Sequence, residues 1–295
     1  MTVRLPAGIG DIAWVMMKLQ SFLGDRKVNL QVSAEGPARG LEFAELYPCV
    51  DKVEYYAMGY QQLHRTRHPD DQPLEYQTKR VVNLTANSHL ELGNHISEYL
   101  PMYETKYDLW NLDIKQEYKE EYKSLVKPNG DFLIGIYPSS YKTNSNWNCG
   151  DPKIWKERIE QMHRYFDHQF SGSSRNVKFV LIGAKFDRRM AGAIMRLVHS
   201  TKIPIVNTVG RFHIASTIEM IQNLNVLVSF PSGIGIIGSM VGTPTVMLMP
   251  EHLKPMEYQW VPRKVVESKR FIQMQISDIE QIIHVACHEL DWEPK

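Results

Sequence analysis

The stretch VLVSFPSGIG, residues 226–235, joins an apolar run to a tight glycine turn, and a second apolar run follows over residues 236–241. The same order occurs near the start, where LPAGIGD at residues 5–11 leads into an apolar stretch over residues 12–23. Each stretch predicts a strand, a glycine turn and a helix whose N-terminal N–H groups favour an anion. The pair predicts two α/β domains that face each other across a cleft, with a phosphate-bearing ligand between them.

Strand and helix patterns alternate outward from both turns. In the first half, the pattern predicts strands over residues 2–6, 28–33, 50–56 and 80–84, and helices over residues 11–23 and 38–46. In the second half, it predicts strands over residues 132–137 and 177–182, and helices from Asp151-Pro152 and over residues 188–199. Ser216-x-x-Glu219 and Ser277-x-x-Glu280 have the form of capping boxes at two further helix starts. Such alternation is typical of parallel sheets with right-handed crossovers.

The domain boundary is predicted at the turn-rich segment KPNGD, residues 127–131. The first Rossmann-like domain then comprises residues 1–127 and the second comprises residues 128–276. Residues 277–295 form a predicted amphipathic helix with an apolar stripe that must be buried.

Composition and cysteine spacing exclude several classes of protein. The formal net charge of +1 gives no overall attraction to nucleic acid or to an anionic membrane. Cys49, Cys149 and Cys287 are far apart and lack Cys-x-x-Cys spacing, which argues against a disulfide framework or a zinc site. The sequence contains neither the pattern of a signal peptide nor an apolar run of membrane-spanning length. We therefore expect a cytoplasmic protein without a transmembrane segment; its oligomeric state stays open.

Several motifs, in order along most of the chain, resemble the family of bacterial lipopolysaccharide heptosyltransferases, which are family 9-like glycosyltransferases. The segments that carry the resemblance are GIGD at residues 8–11, AELYPCVDKV at 44–53, GIYPSS at 135–140 with Trp147 and Trp155 beyond it, VLIG at 180–183, and the two segments SG at 232–233 and GTPT at 242–245. The resemblance implies the GT-B fold, in which two Rossmann-like domains bind the acceptor and the nucleotide-sugar donor respectively. It also implies that the predicted C-terminal helix, residues 277–295, crosses back onto the first domain.

The activity that the resemblance implies is transfer of a sugar from a nucleotide-sugar to an acceptor hydroxyl, inverting and metal-independent, with no cofactor. The acceptor is a glycan or a lipopolysaccharide-type sugar. The chain departs from the family at two positions near the donor sugar, because Pro231 replaces an acidic residue and Ile236 replaces a histidine. The resemblance therefore does not extend to heptose, and neither the sugar nor the nucleobase is identified.

Asp11 is the candidate catalytic residue. At the end of a glycine turn it has two readings: an N-cap that satisfies free N–H groups, or a general base that takes a proton from the acceptor hydroxyl. Gly8 and Gly10 of the same turn, together with His89 and Glu91, are candidates for the acceptor side. The segment HLELGNH at residues 89–95 lacks the His-Glu-x-x-His spacing, so no metal site is predicted.

The candidate donor-binding residues follow the strands of the second domain; they are Ser139, Ser140, Lys142, Gly183, Asp187, Ser232, Gly233, Ile234 and Gly235. Backbone N–H groups at residues 232–235 would approach a diphosphate and stabilise the leaving nucleotide. Lys142 would add positive charge without a metal. The alternatives are a glycine turn needed only for packing, a solvated lysine, and a plain turn at residues 183–187.

Three other functions stay open. A phage-type DNA glycosyltransferase acting on a hydroxymethylated base fits the basic residues at 64–67 and 79–80, although the neutral net charge argues against DNA. A dinucleotide-dependent oxidoreductase is disfavoured because Ala13 occupies the third glycine position of Gly-x-Gly-x-x-Gly. A sugar-nucleotide-binding protein without catalysis is favoured by the apolar residues at 231 and 236 and disfavoured by Asp11.

Overall fold

The structure is a computed structural model that describes residues 2–5, 8–33, 39–56, 81–83, 112–127, 129–138, 151–172, 176–230, 232–249, 269–275, 281 and 284–285. The described residues up to Ile114 form one compact unit, and those from Lys115 onward form a second. The division falls before the segment at residues 127–131 that the sequence favours as a linker. Each unit contains its own parallel β-sheet, so the predicted α/β class is confirmed.

The first unit has a four-stranded parallel sheet in the order β3-β2-β1-β4. Its elements are β1 (Thr2–Arg4), α1 (Ile9–Leu23), β2 (Val28–Ser33), α2 (Arg39–Ala44), β3 (Val50–Tyr56) and β4 (Val81–Asn83). Helix α1 buries Ile12, Met16, Leu19 and Leu23, which recur at intervals of three and four residues on one face. The chain lays β2 and β3 on one side of β1 and then places β4 on the other side.

The second unit has a six-stranded parallel sheet in the order β10-β9-β8-β5-β6-β7. Its elements are α3 (Gln116–Glu121), α4 (Lys123–Val126), β5 (Phe132–Tyr137), α5 (Pro152–Gln169), β6 (Val177–Leu181), α6 (Arg188–Val198), β7 (Ile205–Asn207), α7 (Ile214–Gln222), β8 (Val226–Ser229), α8 (Gly233–Met240), β9 (Thr245–Met249) and β10 (Phe271–Gln275). Strands β6 and β7 lie on one side of β5, whereas β8, β9 and β10 lie on the other. This is the strand order of the doubly wound dinucleotide-binding fold.

The core of the second unit forms around β5, whose six residues are all buried. A strand buried on both faces is typical of a parallel sheet covered by helices. Helix α5 packs Trp155, Ile159, Met162 and Phe166 into this core at helical spacing. The helix begins as predicted, because the Asp151 carboxylate accepts a hydrogen bond from the Lys153 N–H at 2.8 Å.

The capping box predicted at Ser216 is wrong. Helix α7 begins earlier, after His213, whose Nδ1 accepts a hydrogen bond from the Ala215 N–H at 3.1 Å. Ser216 lies inside the helix and is fully buried, and its hydroxyl donates to the Glu121 carboxylate of α3. The tertiary contact with α3 therefore replaces the local capping bond that the sequence pattern suggests.

The C-terminal helix predicted over residues 277–295 lies outside the described residues except at positions 281, 284 and 285. Val285 is buried within the core of the second unit. Whether the helix crosses back to the first domain stays a prediction, as does the box at Ser277. Within the described ranges, no helix is both long and apolar enough to cross a membrane.

Candidate functional site

The carboxyl ends of β8, β5 and β6 lie side by side at one edge of the second sheet. β5 pairs with β8 on one side and with β6 on the other, and all three strands run in the same direction. The order of strands reverses between β5 and β8, because the chain builds outward from this point in both directions. In open parallel sheets, ligands bind in the crevice at the carboxyl edge where the order reverses. The turn between β8 and α8 is at this point.

Helix α8 begins at this turn with its first N–H groups open. Ser232 is the N-cap residue, with extended backbone, and its side chain makes no capping hydrogen bond. The first helical bond runs from the Ile236 N–H to the Ser232 carbonyl at 3.0 Å. The N–H groups of Gly233, Ile234 and Gly235 therefore have no partner within the helix. Such a helix start attracts an anion through its N–H groups and its dipole.

Gly235 brings this helix start close to the sheet. A Cβ atom at residue 235 would lie 2.8 Å from Met247 Cε and 3.0 Å from the Phe230 carbonyl oxygen. Both neighbours belong to the sheet edge, so any side chain would push α8 away from β8 and β9. Packing thus accounts for this glycine by itself, and its predicted donor contact stays a prediction.

Two residues with hydroxyl groups, Ser232 and Tyr137, lie at this turn and at the end of β5. The Ser232 hydroxyl oxygen is buried and makes no well-formed hydrogen bond in the described part of the chain. The Tyr137 phenol, at the end of β5, is its neighbour and is itself 4% exposed. Burial raises the pKa of Tyr137 well above its ordinary value, the Asp187 carboxylate raises it further, and the Ser232 hydroxyl lowers it by less. The phenol is therefore neutral at physiological pH.

Asp187 anchors the loop after β6. Its carboxylate is buried, and one oxygen accepts a hydrogen bond from the Ala184 N–H at 2.7 Å. A Cβ atom at Gly183 would lie 2.7 Å from that same oxygen, so the close approach requires glycine. Gly183 and Asp187, which the sequence predicts separately as donor-binding residues, thus form one structural unit at the carboxyl edge.

Two hydrogen bonds join the loop after β7 to the loop after β6 and to the start of α6. Gly210 adopts a positive φ of 64°, and its N–H donates to the Gly183 carbonyl at 2.9 Å. The Arg188 guanidinium donates to the Gly210 carbonyl at 3.0 Å. Lys185, Phe186 and Arg211 of these two loops remain exposed, with Phe186 at 49%. The loops after β6 and β7 therefore present positive charge and an exposed aromatic ring at the carboxyl edge of the sheet.

The first unit places Gly8, Gly10 and Asp11 after β1. Gly8 is the N-cap of α1, with φ −81° and ψ 136°, and its carbonyl accepts the first helical bond from the Ile12 N–H at 2.9 Å. The reading of Asp11 as the N-cap is therefore wrong, since Asp11 is the third helical residue. Its role as a base stays a prediction.

The remaining predicted site residues lie outside the described residues; they are Ser139, Ser140, Lys142, His89 and Glu91. Among the side chains that the structure describes, no three His, Cys, Asp or Glu residues come together as metal ligands would.

Sequence reasoning missed Tyr137 and Arg188 as site residues. Tyr137 ends the otherwise apolar segment FLIGIY, and an aromatic residue with a polar tip at the carboxyl end of a buried strand is the signal that was available. The bond from Arg188 to the Gly210 carbonyl had no such signal, because it depends on the positions of two loops from different parts of the sequence.

Solved structures of glycosyltransferases share this architecture. The chain matches the family 9 glycosyl transferase of Veillonella parvula DSM 2008 with a TM-score of 0.60 at 14% identity, covering 95% of this chain and 87% of that one. It matches E. coli ADP-heptose lipopolysaccharide heptosyltransferase II with a TM-score of 0.64 at 12% identity, covering 96% of each chain. The chain shares the fold of the heptosyltransferases.

A third structure, E. coli heptosyltransferase WaaC with ADP, matches with a TM-score of 0.59 at 8% identity, covering 97% of this chain and 99% of that one. The predicted GT-B fold and the resemblance to heptosyltransferases are thus confirmed at the level of the fold. No protein-family model matches the sequence, and no curated protein matches it either.

Proposed function

We propose that the protein is a glycosyltransferase that moves a sugar from a nucleotide-sugar to an acceptor hydroxyl. The observation that carries the proposal is the start of α8, where three N–H groups have no partner within the helix and no capping bond from Ser232, at the point where the strand order reverses. Such a site suits the diphosphate of a nucleotide-sugar. The shared fold supports the proposal, because those relatives are transferases of this kind.

The donor in this proposal is a nucleoside diphosphate sugar bound by the second unit. E. coli WaaC has been solved with ADP and with ADP-2-deoxy-2-fluoro heptose, which supports this class of donor. The sugar itself is left open. Ile236, where the heptosyltransferase resemblance implies a histidine, is apolar and 6% exposed, so it offers no hydrogen bond to a sugar hydroxyl.

The reaction is an inverting displacement without a metal. Asp11 takes the proton of the acceptor hydroxyl while that oxygen forms a bond to the anomeric carbon. The bond from the anomeric carbon to the phosphate oxygen breaks, and the nucleoside diphosphate leaves with the electron pair. The N–H groups of Gly233, Ile234 and Gly235 stabilise the negative charge that develops on the leaving group. Lys142 adds positive charge, and the acceptor is a glycan or a lipopolysaccharide-type sugar.

The experiment is a donor-turnover assay on the full chain. A panel of ADP-, GDP-, UDP-, CDP- and dTDP-sugars is incubated with the protein and glycan acceptors, and release of free nucleotide is measured with and without EDTA. We expect release from one donor class, unchanged by EDTA. Asp11→Asn keeps the shape of the side chain but removes the base, so we expect turnover to fall at least roughly 10²-fold with donor affinity unchanged.

Two outcomes would contradict parts of this proposal. Turnover by Asp11→Asn close to that of the parent would remove Asp11 as the base. Saturable binding of a donor by the parent without any turnover, in the presence of glycan acceptors, would instead favour a non-catalytic sugar-nucleotide-binding protein.

A further inference from the structure

Strand β3 forms an open edge of the first sheet among the described strands. It is the outermost strand in the order β3-β2-β1-β4, and it pairs only with β2. With seven residues it is the longest strand that the structure describes. The backbone N–H and C=O groups on its outer side have no strand partner in the described part of the chain. Such an edge is a template for pairing with a further strand.

The side chains along this edge are open to solvent. The side chains of Lys52 and Glu54 are 64% and 45% exposed, and they form an ion pair with each other. Residues two positions apart lie on the same face of a strand, so both charges belong to one face. Tyr55 lies on the opposite face, with Val53, and is 53% exposed. The edge therefore presents one charge of each sign on one face and an exposed aromatic ring on the other.

A second copy of the chain matches this pattern of charges. Two identical edge strands related by a two-fold axis pair antiparallel, and the axis passes between the same residue of both strands. With the axis at Val53, Lys52 lies opposite the partner's Glu54, and Glu54 lies opposite the partner's Lys52. With the axis at Asp51, Lys52 or Glu54, that residue lies opposite its own copy, and like charges directly opposite are destabilising. Among these four registers, charge favours the one centred on Val53.

We propose that β3 is a dimerisation edge, at which two copies of the chain pair antiparallel about Val53 and join their first sheets. Symmetry gives two contacts of opposite charge between the subunits. Tyr55 lies diagonal to Val53 of the partner subunit, within reach of an aromatic side chain, so pairing covers part of the exposed ring. A contact made mainly by one strand is small, so we expect a reversible dimer with a dissociation constant on the order of 10 μM. The proposal does not depend on the proposed function.

Sedimentation velocity of the full chain between about 1 and 100 μM measures the dimer. Lys52→Glu makes both contacts between the subunits repulsive, so it should weaken association at least about tenfold. Glu54→Lys should have the same effect for the same reason. An exposed ion pair contributes little to folding, so both variants should unfold in urea much as the parent does.

Exchanging the two charges separates this edge from any other surface. The double variant Lys52→Glu/Glu54→Lys restores opposite charges, and its dissociation constant should return to within about threefold of the parent's. A mixture of the two single variants places glutamates opposite lysines at both contacts. We expect this mixture to form a heterodimer at concentrations where neither variant dimerises alone. Glu157→Lys, at an exposed position of α5, is the control for net charge and should leave the dissociation constant unchanged.

Three results would overturn the proposal. A parent that stays monomeric over the whole concentration range would show that the charges of β3 protect the edge from pairing. A parent dimer that persists in both single variants would place the interface elsewhere. A double variant that stays monomeric, although it folds, would contradict the register centred on Val53.

Discussion

At the scale of single residues, close approach rather than conformational freedom explains Gly183 and Gly235 at the sheet edge of the second unit. Gly183 leaves room for the Asp187 carboxylate, and Gly235 leaves room for Met247 and the Phe230 carbonyl. In both cases a missing side chain lets a polar loop or a helix start reach the carboxyl edge. The glycine turn near the C-terminal end of the chain thus combines packing with an open anion site.

The first prediction concerns Gly183→Ala. The new Cβ atom would lie 2.7 Å from Asp187 Oδ2 and 3.0 Å from Asp187 Cβ, so the carboxylate must move and lose its bond to the Ala184 N–H. We expect the free energy of unfolding to fall by about 1–3 kcal/mol. Urea unfolding followed by circular dichroism measures this change.

Gly192→Ala is the matched control. Gly192 lies inside α6, and the atom nearest to its added Cβ is Arg196 Nη1 at 3.7 Å, an ordinary contact. Alanine in a helix interior should raise the free energy of unfolding by roughly 0.5–1 kcal/mol. Equal effects of the two substitutions would show that contact with Asp187 does not determine the cost at residue 183.

At the scale of elements, the bounds of several strands could be predicted. The observed bounds of β2, β3 and β5 agree with the prediction. Strand β5 is apolar and buried throughout, whereas β2 alternates between apolar and polar residues and β3 is largely exposed. Strands β7 and β10 were not predicted; both are edge strands with partly buried residues, as β3 is, and β7 has only three residues.

Helix starts were predictable only where the cap is local. Asp151 caps α5 through its own neighbour Lys153, and the sequence pattern suffices. The start of α7 depends on His213, which stacks on Tyr118 with ring centroids 4.3 Å apart, and on the bond between Ser216 and Glu121. Both partners lie on α3. Glu121 precedes Ser216 by 95 residues in the sequence, so a local motif could not reveal these contacts.

The packing of α3 and α4 gives a prediction on pH. Burial raises the pKa of Tyr122 to about 12, with further contributions from the Glu219 and Glu120 carboxylates. A raised pKa in the folded state means that stability is fully present below the ordinary tyrosine pKa of 10 and is lost as the pH rises toward 12. The parent should therefore lose stability more steeply over this window than Tyr122→Phe does.

Urea unfolding at pH 9, 10 and 11 measures the two slopes. Other buried groups with raised pKa values, such as Tyr47 and Tyr137, are present in both proteins and cancel in the comparison. Parallel pH profiles for parent and variant would contradict the account of Tyr122.

At the scale of the whole molecule, the sequence predicted two Rossmann-like units and their resemblance to heptosyltransferases, and the shared fold confirms both. The turn at residues 232–235 could be predicted, because glycines between an apolar strand and an apolar helix are typical of a strand–turn–helix unit. The sequence does not show whether the first N–H groups of α8 are capped by the side chain of Ser232. Ser232 is the N-cap residue of α8 and yet its side chain makes no capping hydrogen bond, which the sequence pattern of a serine before a helix does not reveal.

The most direct measurement is titration of the full chain with nucleoside diphosphates, in the parent and in Gly233→Val. A branched side chain in the first turn of α8 blocks the approach of a diphosphate to the N–H groups and leaves the sheet core in place. We predict saturable binding of at least one diphosphate by the parent, and binding at least about tenfold weaker by a variant that still unfolds cooperatively. Failure of the parent to bind any nucleoside diphosphate, or equal affinity in Gly233→Val, would contradict the assignment of the donor site to this turn.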